Sequence, residues 1–168
     1  MSRPGLAIRR LFARYSSCME SIFEILAENP TRHTGAGETI LEEGTTTGAL
    51  FFLINGEVEV FKGEVSIATV SEPGAVFGEM SVLLGTSHRA SVRTVTPSSF
   101  HFISDGRRFL QTHNAVSMHV SEVLAHRLEA LNKYLVDVKR QFEGHDHLSM
   151  VDEVLEVLAH RQRRPRLR

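Results

Sequence analysis

Between Gly37 and Ile103 the chain is cut into short runs rich in Val, Ile, Phe and Thr, separated by turn signals at Gly44, Asn55-Gly56, Lys62-Gly63, Pro73-Gly74 and Pro97. That pattern restricts the fold more than any other feature. Runs this short, with glycine or proline every few residues, cannot hold a helix and instead read as strands joined by turns. About eight strands fit, which predicts a barrel or jelly roll rather than an open sheet. Phe51-Phe52-Leu53-Ile54, then Asn55-Gly56, then Val58-Glu59-Val60 predicts a hairpin. Only Ser81 to Leu84 breaks the β character, as a single turn or so of helix.

Helical spacing brackets this region. Leu6, Ile8, Leu11, Phe12, Tyr15, Met19, Ile22, Phe23, Ile25 and Leu26 recur at three and four residues. They predict one amphipathic helix, or two broken near Ser16-Ser17, ended by Asn29-Pro30. After Gly106 the period returns. Val120, Leu124, Leu128, Leu131, Leu135, Val138 and Phe142 form a heptad-like seam, the signature of a long helix with a partner along its length. Gly144-His145-Asp146-His147-Leu148-Ser149 interrupts it, and Met150 to Leu158 predicts a short final helix. The last eight residues carry five arginines.

Composition excludes several classes. The formal net charge of -1 gives no global attraction to nucleic acid or anionic membrane. Cys18 is the only cysteine, so no intramolecular disulfide or cysteine-cluster metal site is possible, in keeping with a cytoplasmic protein. No apolar run approaches the roughly 20 residues that span a bilayer, so no membrane association is expected. His-Glu-x-x-His, Gly-x-Ser-x-Gly and Walker-type signatures are absent, and the only His-x-His lies at His145-Asp146-His147. The chain is therefore expected to be neither an enzyme nor a metal protein.

Phe77-Gly78-Glu79-Met80-Ser81, followed by His88-Arg89-Ala90-Ser91-Val92, is the stretch with chemistry in it. Gly78 lets backbone approach an anion, and the N–H groups of the next turn can donate to its oxygens. Glu79 can accept from a sugar hydroxyl. This stretch resembles the phosphate-binding cassette of cyclic nucleotide-binding domains. The resemblance extends over about Gly37 to Phe142 through Gly37-Glu38-Thr39-Ile40, Glu43-Gly44, Phe51-Phe52-Leu53, Gly56-Glu57-Val58-Glu59-Val60 and Pro73-Gly74.

The resemblance implies a mainly β fold with flanking helices. Its centre would be an eight-stranded, jelly-roll-like β-roll of the cyclic nucleotide-binding type, with N-terminal helices, a long C-terminal dimerisation helix and a short final helix. The expected segments are 1–30 (N-terminal helices), 31–112 (β-roll), 113–143 (long hinge and dimerisation helix) and 144–168 (short helix and basic tail). It further implies that Phe77 and Gly78 shape the turn and that Glu79 binds the ribose 2′-hydroxyl. The N–H groups of Met80 and Ser81 would face the cyclic phosphate of cAMP or cGMP, a ligand rather than a required cofactor. The family places an arginine nine positions after the glutamate, where this chain has His88, with Arg89 one place later. Three outcomes stay open: a bulge brings Arg89 into the pocket, His88 contacts the phosphate, or strong binding has been lost and the domain is an interaction scaffold. The family's purine-preference marker, beside the arginine, falls in the region of Ala90 and Ser91. The helix over 115–142 would close over the base and form a parallel homodimer, acting on a downstream protein partner. A winged helix-turn-helix needs more chain than Glu143 to Arg168, so sequence-specific DNA binding is not expected.

Overall fold

The computed structural model describes residues 22–141. Residues 6–21 of the helical stretch expected over Leu6 to Glu28, the final helix over Met150 to Leu158, the His145-Asp146-His147 break, Phe142 and the arginine tail lie outside the described residues. The first described element is helix α1 (22–27). Asn29 ends it, its side-chain amide donating to the carbonyls of Ile25 (3.1 Å) and Leu26 (3.4 Å).

Eight strands follow: β1 (Thr31–Thr34), β2 (Thr39–Leu41), β3 (Leu50–Asn55), β4 (Val58–Lys62), β5 (Val65–Val70), β6 (Val76–Phe77), β7 (Ser91–Thr94) and β8 (Ser98–Ile103). Helix α2 (Glu79–Leu84) sits between β6 and β7, and α3 (Gly106–Thr112) and α4 (Asn114–Gln141) come after β8. The strands form two antiparallel four-stranded sheets in the orders β1-β8-β3-β6 and β2-β7-β4-β5. The expected β-roll with flanking helices is the fold observed.

The strand-rich run read from Gly37 starts earlier, inside the expected 31–112 roll, because Thr31-Arg32-His33-Thr34 pairs with Ser98 to His101 of β8. One local expectation is corrected: the expected hairpin across Asn55-Gly56 does not form. β3 pairs with β6 and β8 in one sheet, while β4 pairs with β5 and β7 in the other, so the chain crosses between sheets at Gly56. Gly56 fits that crossing, with φ 103° and a hypothetical Cβ only 2.7 Å from Ser98 Cα. The hairpin is one turn later, where Gly63 joins β4 to β5.

The reason lies in β3. Leu50, Phe51, Phe52 and Leu53 are all buried, so this strand is covered on both faces. Phe51 and Leu53 point into the space between the sheets with Ile40, Leu41, Val58, Phe77, Val92 and Phe100. There Phe51 meets the Phe100 ring edge-on at 5.9 Å. Leu50 and Phe52 point the other way, as the two-residue period of a strand requires. The buried apolar residues outside the inter-sheet cluster include Val76 and Ile103, the register partners of Phe52 and Leu50, and the helical residues Ile22 and Leu26 of α1, Phe109 and Leu110 of α3, and Val116 and Val120 of α4.

The chain divides into two compact units between Val120 and Ser121, inside α4. The first holds the β-roll with α1, α2, α3 and the first turns of α4. In the second, Leu128 and Leu131 of the heptad-like seam are each 46% exposed. Among the described residues no helix is long and apolar enough to cross a membrane.

Candidate functional site

The cassette is built by one glycine. β6 ends at Phe77, buried between the sheets, and Gly78 then takes φ 90°, ψ −7° to reverse the chain into α2. A Cβ there would lie 2.4 Å from the Ala49 carbonyl oxygen. Only glycine combines that left-handed angle with that approach. Gly78 contributes no side-chain cap, and Val82 N–H donates to the Gly78 carbonyl at 3.1 Å. The N–H groups of Met80 and Ser81 therefore precede the helical ladder, as first-turn donors do. Gly85, with φ 65°, closes the other end by donating to the Ser81 carbonyl at 2.9 Å.

The expected site residues fall into two groups. Glu79, 4% exposed, and Ser81, 5% exposed, are buried at the start of α2, while Met80 faces outward. The Ser81 hydroxyl donates to the Thr86 carbonyl and ties the cassette to itself. The second group lies on the return to β7. His88 is buried, Arg89 is exposed, Ala90 is half-buried and Ser91 is buried. Ser91 Oγ accepts from the Glu43 N–H at 2.9 Å, which fastens the end of β2 to β7. On exposure alone, the one-residue displacement of the arginine leaves its guanidinium outside and an imidazole inside.

The segment between β2 and β3 touches both groups. Ala49 backs Gly78, and His88 is held from three sides: its N–H donates to Thr45 O at 2.8 Å, its carbonyl accepts from Gly44 N–H at 2.9 Å, and Nε2 meets Thr47 Oγ1 at 2.9 Å. Thr45 and Thr47 were not singled out from the sequence. The one available signal was the hydroxyl run Thr45-Thr46-Thr47 directly after Glu43-Gly44. Arg107 of α3 was missed as well. Its guanidinium donates to the Val82 carbonyl at 3.0 Å and the Leu83 carbonyl at 3.4 Å, at the negative end of α2. Gly106 beside it leaves no room for a side chain, since a Cβ would sit 2.7 Å from Leu50 Cγ and 3.0 Å from Val82 Cγ2. The start of α3 is thereby locked to the cassette helix.

Burial holds the His88 imidazole below its usual pKa, and burial does the same at His101 of β8, whose Nδ1 has no partner among the described residues. Glu59, hydrogen-bonded by Arg93 and Ser66, is held below the usual carboxylate range. These shifts fix the acid response. An imidazole depressed in the fold but titrating near 6.5 in the unfolded chain contributes stability that is complete above about pH 6.5 and declines below it. The lowered Glu59 acts in the same direction at lower pH. Thermal melts are therefore expected to move down between pH 7.5 and 5.5, and His101→Phe to flatten part of that slope. A slope unchanged in a His88→Asn/His101→Phe double variant would contradict this assignment.

Among the described residues no group of three or more His, Cys, Asp or Glu is placed to hold a metal ion. A family model described as the cyclic nucleotide-binding domain matches residues 31–115. The CRP-like cAMP-activated global transcriptional regulator of Mycobacterium tuberculosis is 29% identical over 110 residues, covering 61% of this chain and 48% of that protein. The chain thus spans about half the length of the curated relatives it matches. Among solved structures, the Thermus thermophilus catabolite activator protein superposes with a TM-score of 0.59 at 21% identity, over 83% of each chain. A cyclic nucleotide-binding domain from Methylobacillus flagellatus gives 0.56 at 24% identity, over 64% of this chain and 66% of that one.

Proposed function

The chain belongs to the cyclic nucleotide-binding domain family, and from that premise we propose that it is a regulatory protein that binds cAMP or cGMP and carries no catalytic activity of its own. The observation that carries the reading is the turn at Gly78, which places the buried Glu79 at the mouth of α2 and the N–H groups of Met80 and Ser81 before its ladder. A carboxylate for a ribose hydroxyl and first-turn donors for a phosphate are the two halves of a cyclic nucleotide. The phosphate then meets His88 rather than an arginine. A bidentate charged contact is worth on the order of 1.5–3 kcal/mol and a neutral one about 1, so affinity is expected to be roughly tenfold below that of an arginine-bearing site.

Ligand binding would act on the rest of the molecule through α2. Arg107 couples α2 to α3, and α3 leads into α4, the helix proposed to dimerise over 115–142 and to reposition a surface for a downstream protein partner. The exposed Leu128 and Leu131 support the dimer. Sequence-specific DNA recognition needs a helix-turn-helix with its own core and forms no part of this reading. The lone cysteine fits a cytoplasmic setting, which forms part of the proposal.

Calorimetry with cAMP and with cGMP at low-micromolar protein tests the reading. Binding heat from at least one of them is expected. Neither heat nor a thermal shift at millimolar nucleotide would leave the second reading, a dimeric scaffold without ligand, which the exposed position of Arg89 favours. Within the first reading, His88→Ala is expected to weaken binding several-fold and Arg89→Ala by less than twofold. The reverse order would show that Arg89 swings into the pocket.

A further inference from the structure

His88 and Thr47 together carry more than the functional reading uses. His88 is 5% exposed, and both its backbone groups are bonded to the Gly44–Thr45 turn, so its place in the site is set. One ring nitrogen, Nε2, meets Thr47 Oγ1 at 2.9 Å. The other, Nδ1, has no partner among the described residues. In a neutral imidazole one nitrogen donates and the other accepts, and the bond made by one decides the role of the other.

The hydroxyl of Thr47 favours one arrangement. Its oxygen accepts the Ala49 N–H at 3.3 Å with one of its two lone pairs, and among the described residues His88 Nε2 is the acceptor within reach of its proton, so donation to Nε2 engages both the oxygen and the proton of the hydroxyl. Thr47 donating to Nε2 leaves the imidazole proton on Nδ1. The opposite arrangement would give an unprotonated Nδ1, a lone pair offered to any anion that entered the site. We infer that Thr47 is a positioning residue that holds His88 as its Nδ1–H tautomer, so that the site meets the nucleotide phosphate with a neutral hydrogen-bond donor. The phosphate part rests on the cyclic-nucleotide reading, whereas the tautomer does not. The depressed basicity of His88 agrees with it, since the ring is neutral over the range in which the choice of tautomer matters.

The test is a two-dimensional nitrogen correlation spectrum of the histidine rings in the full chain at pH 7.5, with the His88 signals identified by their loss in His88→Gln. A protonated Nδ1 and a bare Nε2 are expected. Thr47→Val keeps the shape and removes the hydroxyl, and it is expected to shift the proton wholly or partly to Nε2 and to weaken cAMP about fivefold. Thr47→Ser is expected to restore both. A wild-type ring protonated at Nε2, a Thr47→Val ring with an unchanged tautomer, or a changed tautomer with unchanged cAMP affinity would each overturn the assignment. If wild-type protein binds no cyclic nucleotide at all, the functional reading fails, and the ring spectrum still decides the tautomer.

Discussion

Gly78→Ala is expected to unfold the β-roll at a denaturant midpoint well below the wild type. The loss should be about 3 kcal/mol, in the range reserved for strained backbone and core overlap. Two costs combine at this position. An L-residue in the left-handed region costs about 1–2 kcal/mol, and the new methyl would stand 2.4 Å from the Ala49 carbonyl. That carbonyl cannot retreat cheaply, because Ala49 is buried and runs into β3, the strand packed on both faces. Gly85→Ala supplies the control. It too has a positive φ, but the nearest atom to its Cβ is Arg107 Nη2 at 3.8 Å, an ordinary van der Waals contact with the end of a side chain. It should therefore show the conformational cost alone, about 1 kcal/mol. Equal losses for the two variants would mean that the close approach of β3 to the cassette contributes nothing.

The comparison of Gly78 with Gly56 shows what the sequence could reveal about the fold and what it could not. Both glycines announce a turn, and both occupy one. At Asn55-Gly56 the local signal is that of a two-residue hairpin, yet the strands on either side belong to different sheets. The choice was made by residues far away. A strand buried on both faces needs two neighbours, and β3 finds them in Val76–Phe77 and Ser98–Ile103. Strand β1 was hidden for a related reason. Thr31-Arg32-His33-Thr34 is mostly exposed and has no apolar alternation, so its strand character comes from pairing with β8 rather than from its own residues.

The same division runs through the site. Gly78 and Glu79 were legible because their chemistry is local: a turn that needs glycine, then a carboxylate at a helix start. The one-residue displacement of the arginine was legible too, but only the fold shows that His88 is buried and Arg89 exposed. Thr47 and Arg107 were not legible. Thr47 reaches His88 across a sequence separation of 41 residues, and Arg107 reaches Val82 across 25. A threonine in a loop and an arginine near a helix start are ordinary surface residues until the fold supplies their partners.

Glu79→Ala is expected to weaken cAMP binding by about a hundredfold, the largest effect on binding of any single change in the cassette. A hydrogen bond to a charged group is worth about 1.5–3 kcal/mol, and the bound sugar hydroxyl would also be left without its acceptor. Glu79→Gln, which keeps the shape and a neutral acceptor, should lose about tenfold. The burial of this carboxylate, 4% exposed, is what makes the effect large, because little water is at hand to replace it. The assignment to the ribose can be isolated by pairing the substitution with 2′-deoxy-cAMP in a thermodynamic cycle. Wild-type protein should bind the deoxy ligand about as poorly as Glu79→Ala binds cAMP, and the variant should not distinguish the two ligands. If the variant still prefers cAMP over its deoxy form by the wild-type margin, Glu79 does not hold the 2′-hydroxyl, whatever it does to affinity. Loss of binding without loss of that preference would instead make Glu79 a support for the turn at Gly78, and the melting curves of Gly78→Ala and Glu79→Ala would then fall together.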